Sequence, residues 1–179
     1  KVAEASDCGT VWALPEAEAQ LLTQVNATAR DYDPLTIHAA FEAQVKRTPD
    51  APALVFEGET LSYGTLNARA NQLAHLLREM GAGPGMPVAL CTARGVDLLV
   101  GTLGILKAGA AYVPLDPAYP ADRLAHYLSD SGASVVVTQS TLTASLPAHG
   151  AQVVEMDRDP RLATASDTNP TASAGADDL

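Results

Sequence analysis

The side chains in this sequence that could carry chemistry are few, and their spacing limits what each could do. Lys107 stands in the run Leu106-Lys107-Ala108-Gly109-Ala110-Ala111-Tyr112-Val113-Pro114-Leu115-Asp116-Pro117, where an amine could grip a phosphate. Its place in the last turn of a helix that Gly109 terminates gives a plainer role, a cation set against the negative end of the helix dipole. Asp116, between two prolines, orients a backbone turn or faces a partner. His38, His75, His126 and His149 are too far apart to share a metal with one another or with a cysteine. Three of them fall at polar positions of expected helices and read as surface histidines. Gly81-Ala82-Gly83-Pro84-Gly85 has the composition of a dinucleotide loop, but a phosphate fingerprint follows a strand and opens a helix. Here the order is reversed, and Pro84 removes a donor amide. For Cys8 and Cys91, two free thiols in a reducing cytosol outweigh a disulfide. No Ser-His-Asp or Cys-His constellation emerges. The expectation is that residues 1–179 hold no catalytic, cofactor-binding or metal-ligating residue.

The elements that would position these side chains follow from hydrophobic periodicity. Pro15 to Gln24 reads as a short helix with Glu16 and Glu18 near its positive end. Thr36 is a candidate N-cap for a helix with Ile37, Phe41 and Val45 on one face, ending at Thr48-Pro49. Residues 53–57 and 60–63 read as two strands around Gly58-Glu59, a hairpin signal. Leu66, Ala70, Leu73, Leu77 and Met80 recur every three or four residues and form one helical stripe that Gly81 ends. Val88 to Cys91 is a continuous apolar run, the pattern of a strand covered on both faces. The helix from Val96 to Ala108 is apolar almost all round and should be buried, with Gly101 and Gly104 admitting a neighbouring backbone. A Tyr112-Val113 strand follows, then a helix from about Ala121 to Ser129 with Leu124, Tyr127 and Leu128 inward, stopped by Gly132. Val135 to Val137 and Val153 to Met156 are further strands. Strand alternating with helix argues for a parallel α/β sheet. Residues 163–179 are Ala, Ser, Thr, Asp, Asn and Pro, with too little apolar surface to offset their ordering entropy, and are expected to form a flexible tail.

Bulk properties set the class. The chain has 179 residues, 47% of them hydrophobic but only 4% aromatic, so one domain must build its core from aliphatic side chains. A formal charge of -10 repels phosphate backbones and speaks against a nucleic-acid partner. The most apolar helix is far shorter than the ~20 residues of a membrane span, and no signal peptide is visible. A cytoplasmic location is expected. The chain begins at Lys1 and reads as a piece of a longer polypeptide.

Three strings carry a specific likeness. Leu106 to Pro117 closely resembles the second core motif of the adenylation domains of nonribosomal peptide synthetases, members of the acyl-adenylate-forming superfamily. Leu61-Ser62-Tyr63-Gly64-Thr65-Leu66 resembles the first, with Thr65 where the family commonly has Glu, and Asn67 to Ala74 continues it. Leu14 to Asp33 resembles the linker joining a condensation domain to an adenylation domain, with Val25 where the family usually has Trp. Asp177-Asp178-Leu179 looks like the lead-in to the third motif, the phosphate-holding loop, which does not follow within the sequence. The resemblance implies a linker at 1–33, an N-terminal adenylation subdomain at 34–162 and the tail at 163–179. It implies that the complete enzyme uses ATP and Mg²⁺ to activate an amino acid, then loads it on the phosphopantetheine thiol of a carrier domain. Implied partners are the remainder of the adenylation domain, condensation and carrier domains, and a small MbtH-like helper. The fragment alone is expected to be inactive. The alternative is a non-catalytic interaction or split subdomain that docks a synthetase partner.

Overall fold

The computed structural model describes residues 15–31, 35–175 and 177–178. The expected loose segment at 1–12, Cys8, the two ends of the linker at Leu14 and Asp33, and Leu179 lie outside the described residues. The chain divides into a leading unit that ends at Pro34 and a main unit from Leu35 onward. The leading unit contains helix α1 (Glu16–Asn26), which runs two residues past the end that its periodicity predicts, with Glu16 and Glu18 in the first turn. Leu21, Leu22 and Val25 on this helix are exposed.

The main unit opens with α2 (Ile37–Arg47), whose N-cap Thr36 accepts a hydrogen bond from the Ala39 amide as expected. Its inward stripe is shorter than predicted. Phe41 packs against the core, whereas Ile37, in the first turn, is exposed. A hairpin follows, β1 (Pro52–Phe56) paired antiparallel with β2 (Glu59–Ser62). Its turn is Glu57-Gly58, both at positive φ (47° and 87°), which is the two-residue geometry that suits strand twist and places the turn one residue earlier than predicted.

Ser62 caps α3 (Tyr63–Glu79) by accepting from the Thr65 amide, and Leu66, Ala70, Leu73 and Leu77 form the predicted buried stripe. The helix closes at Gly81, with the Ala82 amide donating to the Leu77 carbonyl at 2.9 Å. Then come β3 (Pro87–Cys91), α4 (Val96–Ala108), β4 (Ala111–Pro114), α5 (Ala121–Ser131), β5 (Val135–Thr138), the single turn α6 (Ser140–Thr143), β6 (Gln152–Glu155) and the short α7 (Pro160–Thr164). The last four strands form one all-parallel sheet in the order β4-β3-β5-β6, so the α/β parallel-sheet class holds.

Each central strand is buried on both faces because its side chains alternate between two cores. Val88, Leu90, Val135 and Val137 meet Leu73, Leu77 and Ile105 of α3 and α4. Ala89, Cys91 and Val136 meet Leu124 and Leu128 of α5. A third cluster joins the hairpin to α3 and α4 through Leu61, Leu66 and Val100. Gly101 and Gly104 admit side chains, not a backbone: a Cβ on Gly101 would lie 2.5 Å from Leu90 Cδ1, and one on Gly104 2.7 Å from Leu73 Cδ2.

Two expectations about the chain's later half change. Gly109 does end α4 in the left-handed conformation (φ 87°), as its lack of Cβ predicts. The carbonyls at that helix end, however, are served by Arg78, which donates to Lys107 O at 2.8 Å and Ala108 O at 3.2 Å. The Lys107 amine turns inward and is buried. The stretch expected to be a flexible tail also differs. Residues 167–173 lie against α3 and α4 on a series of hydrogen bonds, Asn71 Nδ2 to Asp167 O at 2.6 Å among them. The segment has little apolar surface to bury and is held by polar partners instead.

Candidate functional site

Among the described residues, two convergences of polar groups join distant parts of the main unit. The first is the C-terminal edge of the parallel sheet, between β3 and β5. The connections that leave β3 and β5 run to opposite sides, to β4 and β6, and a doubly wound sheet usually opens a ligand crevice at such a point. Gln139, just past β5, bridges it: its Oε1 accepts from the Ala93 amide at 3.0 Å and its Nε2 donates to Asp97 Oδ2 at 2.7 Å. Asp97 is also paired with Arg69 at 2.9 Å, and the Thr138 hydroxyl donates to Cys91 O at 2.7 Å. Beside this bridge lies a cleft of about 390 Å³ that includes Glu57, Glu59, Arg69, Arg94, Asp97 and Gln139. Its carboxylates and guanidiniums are mixed, so it presents no single charge to a ligand. Sequence reading missed Gln139 and the Arg69–Asp97 pair, because nothing local links positions 28 and 42 residues apart.

The second place surrounds Lys107. Its amine is paired with Glu42 of α2, lies 3.4 Å from Asn169 Oδ1, and stands 6.0 Å from the centre of the Phe41 ring. Burial pushes the amine's pKa down, and the bond to Glu42 opposes that shift. His38, half-buried on α2, is held below the ordinary histidine range, chiefly by burial. Glu42 opposes the shift, and Lys107 and Arg78 add to it.

The sign of the resulting pH dependence follows. Below the ordinary value of 6.5 the unfolded chain binds a proton at His38 that the folded chain resists. This contribution to stability is present above pH 6.5 and is lost as pH falls toward the folded value. Thermal melts between pH 7.5 and 5 should therefore show a shallower fall in Tm for His38→Gln than for the parent. Equal slopes would contradict the assignment.

The other sequence candidates scatter. His75 Nε2 is 3.0 Å from the Thr168 carbonyl, His126 is exposed, and His149 is half-buried in the connection before β6, so only His126 is the surface histidine expected. Asp116 accepts from the Ala118 amide at 2.9 Å, which fulfils the turn-orienting role. Gly81 and Gly85 have positive φ (92° and 73°) in the turn from α3 to β3. Cys91 is fully buried, and its thiol is pushed up by burial and by Asp116, the reverse of an activated nucleophile. Asp157 is held low by the Ser140 hydroxyl and amide, and Glu155 by Thr143 and Arg158; both carboxylates tie the β5–β6 connection. Among the described residues no group of three or more His, Cys, Asp or Glu could hold a metal ion, and no helix is long and apolar enough to cross a membrane.

The arrangement fits an ATP phosphate poorly. Lys107 is already engaged by Glu42, and the Gly-rich loop opens no helix. These residues build and brace a sheet.

Comparison with known proteins identifies the family. A linear gramicidin synthase polypeptide of Brevibacillus parabrevis is 53% identical over 148 residues, 82% of this chain and 3% of its own length. Chondramide synthase cmdD of Chondromyces crocatus is 46% identical over 80% of this chain and 4% of its own. The chain thus spans only a few per cent of the curated relatives it matches. The crystal structure of the nonribosomal peptide synthetase FmoA3 bound to alpha-methyl-L-serine-AMP superposes with a TM-score of 0.82 at 35% identity, over 92% of this chain and 18% of that one. The N-terminal subdomain of Klebsiella oxytoca NpsA shares the fold at 23% identity (TM-score 0.71, 84% of this chain, 38% of that one). The family model for AMP-binding enzymes matches residues 41–178. It takes in the hairpin, the three helices that cover the sheet and every strand of it, and the chain belongs to the AMP-binding enzyme family.

Proposed function

We propose that this chain is the opening part of an amino-acid-activating adenylation domain in a peptide synthetase. The observation that carries the reading is the likeness, over 92% of the chain, to a synthetase whose structure holds an aminoacyl adenylate. In the proposed whole enzyme, a carboxylate would attack the α-phosphorus of ATP and expel pyrophosphate, with Mg²⁺ offsetting phosphate charge. A carrier domain's phosphopantetheine thiol would then displace AMP to form a thioester. Condensation and carrier domains, and an MbtH-like helper, are the partners this reading entails, and the cytosol is the location it fits. The share of residues 1–179 in that chemistry is architectural. The described residues supply a sheet covered on both faces, and on this reading none of them stabilises the developing charge.

The test is amino-acid-dependent exchange of pyrophosphate into ATP. The chain alone should give none above background. The same segment in a contiguous adenylation domain should support exchange with one amino acid or a small set. Exchange by residues 1–179 alone, or none by the contiguous enzyme with any amino acid, would sink the proposal.

A further inference from the structure

The stretch from Asp167 to Ser173 follows α7 and lies at the surface, yet a chain of polar contacts fastens it. Asn169 Oδ1 accepts from Asn67 Nδ2 at 2.8 Å and Asn71 Nδ2 at 2.9 Å, with the Lys107 amine at 3.4 Å. Asn71 is fully buried in the stripe α3 turns inward, and its amide nitrogen also donates to Asp167 O. Burying an N–H donor without an acceptor costs free energy, and the stretch above α3 supplies both acceptors that the Asn71 amide nitrogen uses. His75 binds the Thr168 carbonyl, which calls for the Nε2–H tautomer. Arg78 donates to Ser173 Oγ at 3.1 Å, and Ser173 fills the space over Gly109, where a Cβ would lie 2.3 Å from its hydroxyl.

These contacts have a direction. From Asn169 to Ser173 the partners advance along α3 from Asn67 and Asn71 to Arg78, then to the end of α4 at Gly109. The stretch is a strap. It brings the chain to the N-terminal edge of the parallel sheet, where β3 and β4 begin.

We infer that the strap is a positioning device for the adenylation reaction, with Asn169 as its clasp and Asn71 and the Lys107–Glu42 pair as its anchor. The inference rests on the adenylation reading, in which the strap leads to the phosphate-holding segment. Asn169 and Lys107 touch no reacting atom on this view. They fix where the chain leaves the subdomain.

Two measurements test it. Backbone order parameters from NMR relaxation on residues 1–179 should be about 0.85 across 167–169 and 171–173, the level of β3 and β5. Asn169→Leu should lower them below about 0.6 in the strap and leave β3 and β5 unchanged, while Asn169→Asp, which keeps the acceptor oxygen, should retain them. In a contiguous adenylating enzyme carrying this segment, Asn169→Leu should raise the KM for ATP by about five- to tenfold and leave the KM for the amino acid within about twofold, with Asn169→Asp near the parent. Unchanged strap order parameters in Asn169→Leu would overturn the clasp. Lowered order parameters with an unchanged KM for ATP would overturn the positioning role. A parent enzyme that exchanges pyrophosphate with no amino acid would bring down the adenylation reading, and the positioning role with it, while the order parameters of the strap still decide the clasp.

Discussion

Lys107→Ala is expected to destabilise the folded chain by about 2–4 kcal/mol, well beyond the ~0.3–1 kcal/mol that a cation at an exposed helix end contributes. The side chain is fully buried, its charge is matched by Glu42, and its amine lies over the Phe41 ring. Truncation removes the partner of a carboxylate that is only about one-fifth exposed (21%) and leaves a cavity where the stem lay. The partial access of Glu42 to water keeps the expected loss below that of a wholly enclosed pair. Denaturant unfolding of Lys107→Ala, Glu42→Gln and the double variant would measure it. The double variant should recover part of the loss, because two uncharged groups in contact avoid the unpaired charge. A loss under about 1 kcal/mol with no coupling would return Lys107 to the helix-end role its sequence position suggests.

Gly104→Val should cost about 3 kcal/mol, the upper part of the usual range for overpacking a core. The new Cβ would meet Leu73 at Cδ2 (2.7 Å), Cγ (2.9 Å) and Cβ (3.0 Å), so the clash reaches the root of a side chain with nowhere to swing. Leu73 is 1% exposed and enclosed by α4 and the sheet. The gain in helix propensity from removing a glycine, up to ~1 kcal/mol, is too small to offset this. Gly83→Ala is the control, since a Cβ there meets nothing within 4 Å, and its effect should stay within ~0.5 kcal/mol. Adding Leu73→Ala to Gly104→Val should return some of the lost stability. A valine accepted at 104 without loss would mean that α3 and α4 are not in the close contact described.

The architecture was legible because it is written in local patterns. The stripe of α3, the unbroken apolar runs of β3 and β5 and the caps at Thr36, Ser62 and Gly109 each depend on residues a few positions apart. What escaped was long-range and polar. Lys107 sits next to a helix terminator, so helix-end physics accounts for it fully until Glu42, 65 residues away, is seen to reach its amine. Asn71 falls in an apolar stripe and looks like an interruption, until Asn169 arrives from 98 residues further on. The strap itself has almost no large apolar residue, and a reading that weighs hydrophobic burial alone must leave it loose. Ile37 failed in the opposite sense. Its spacing puts it in line with Phe41, but at 71% exposure it faces away from the core, while its neighbour His38 is half-buried.

The span of that clasp also has a consequence for how the molecule assembles. Joining Asn169 to Asn67 closes a loop of 102 residues, against 28 for the Arg69–Asp97 pair. The entropy of closing a long loop is recovered only when the groups it joins are already in place. Here those groups sit on α3 and α4, so the two helices must dock before the strap has anything to fasten to. It is therefore expected to be the last piece to settle during folding and the first to lift away on warming, with its polar bonds adding more to the lifetime of the native state than to the speed of reaching it.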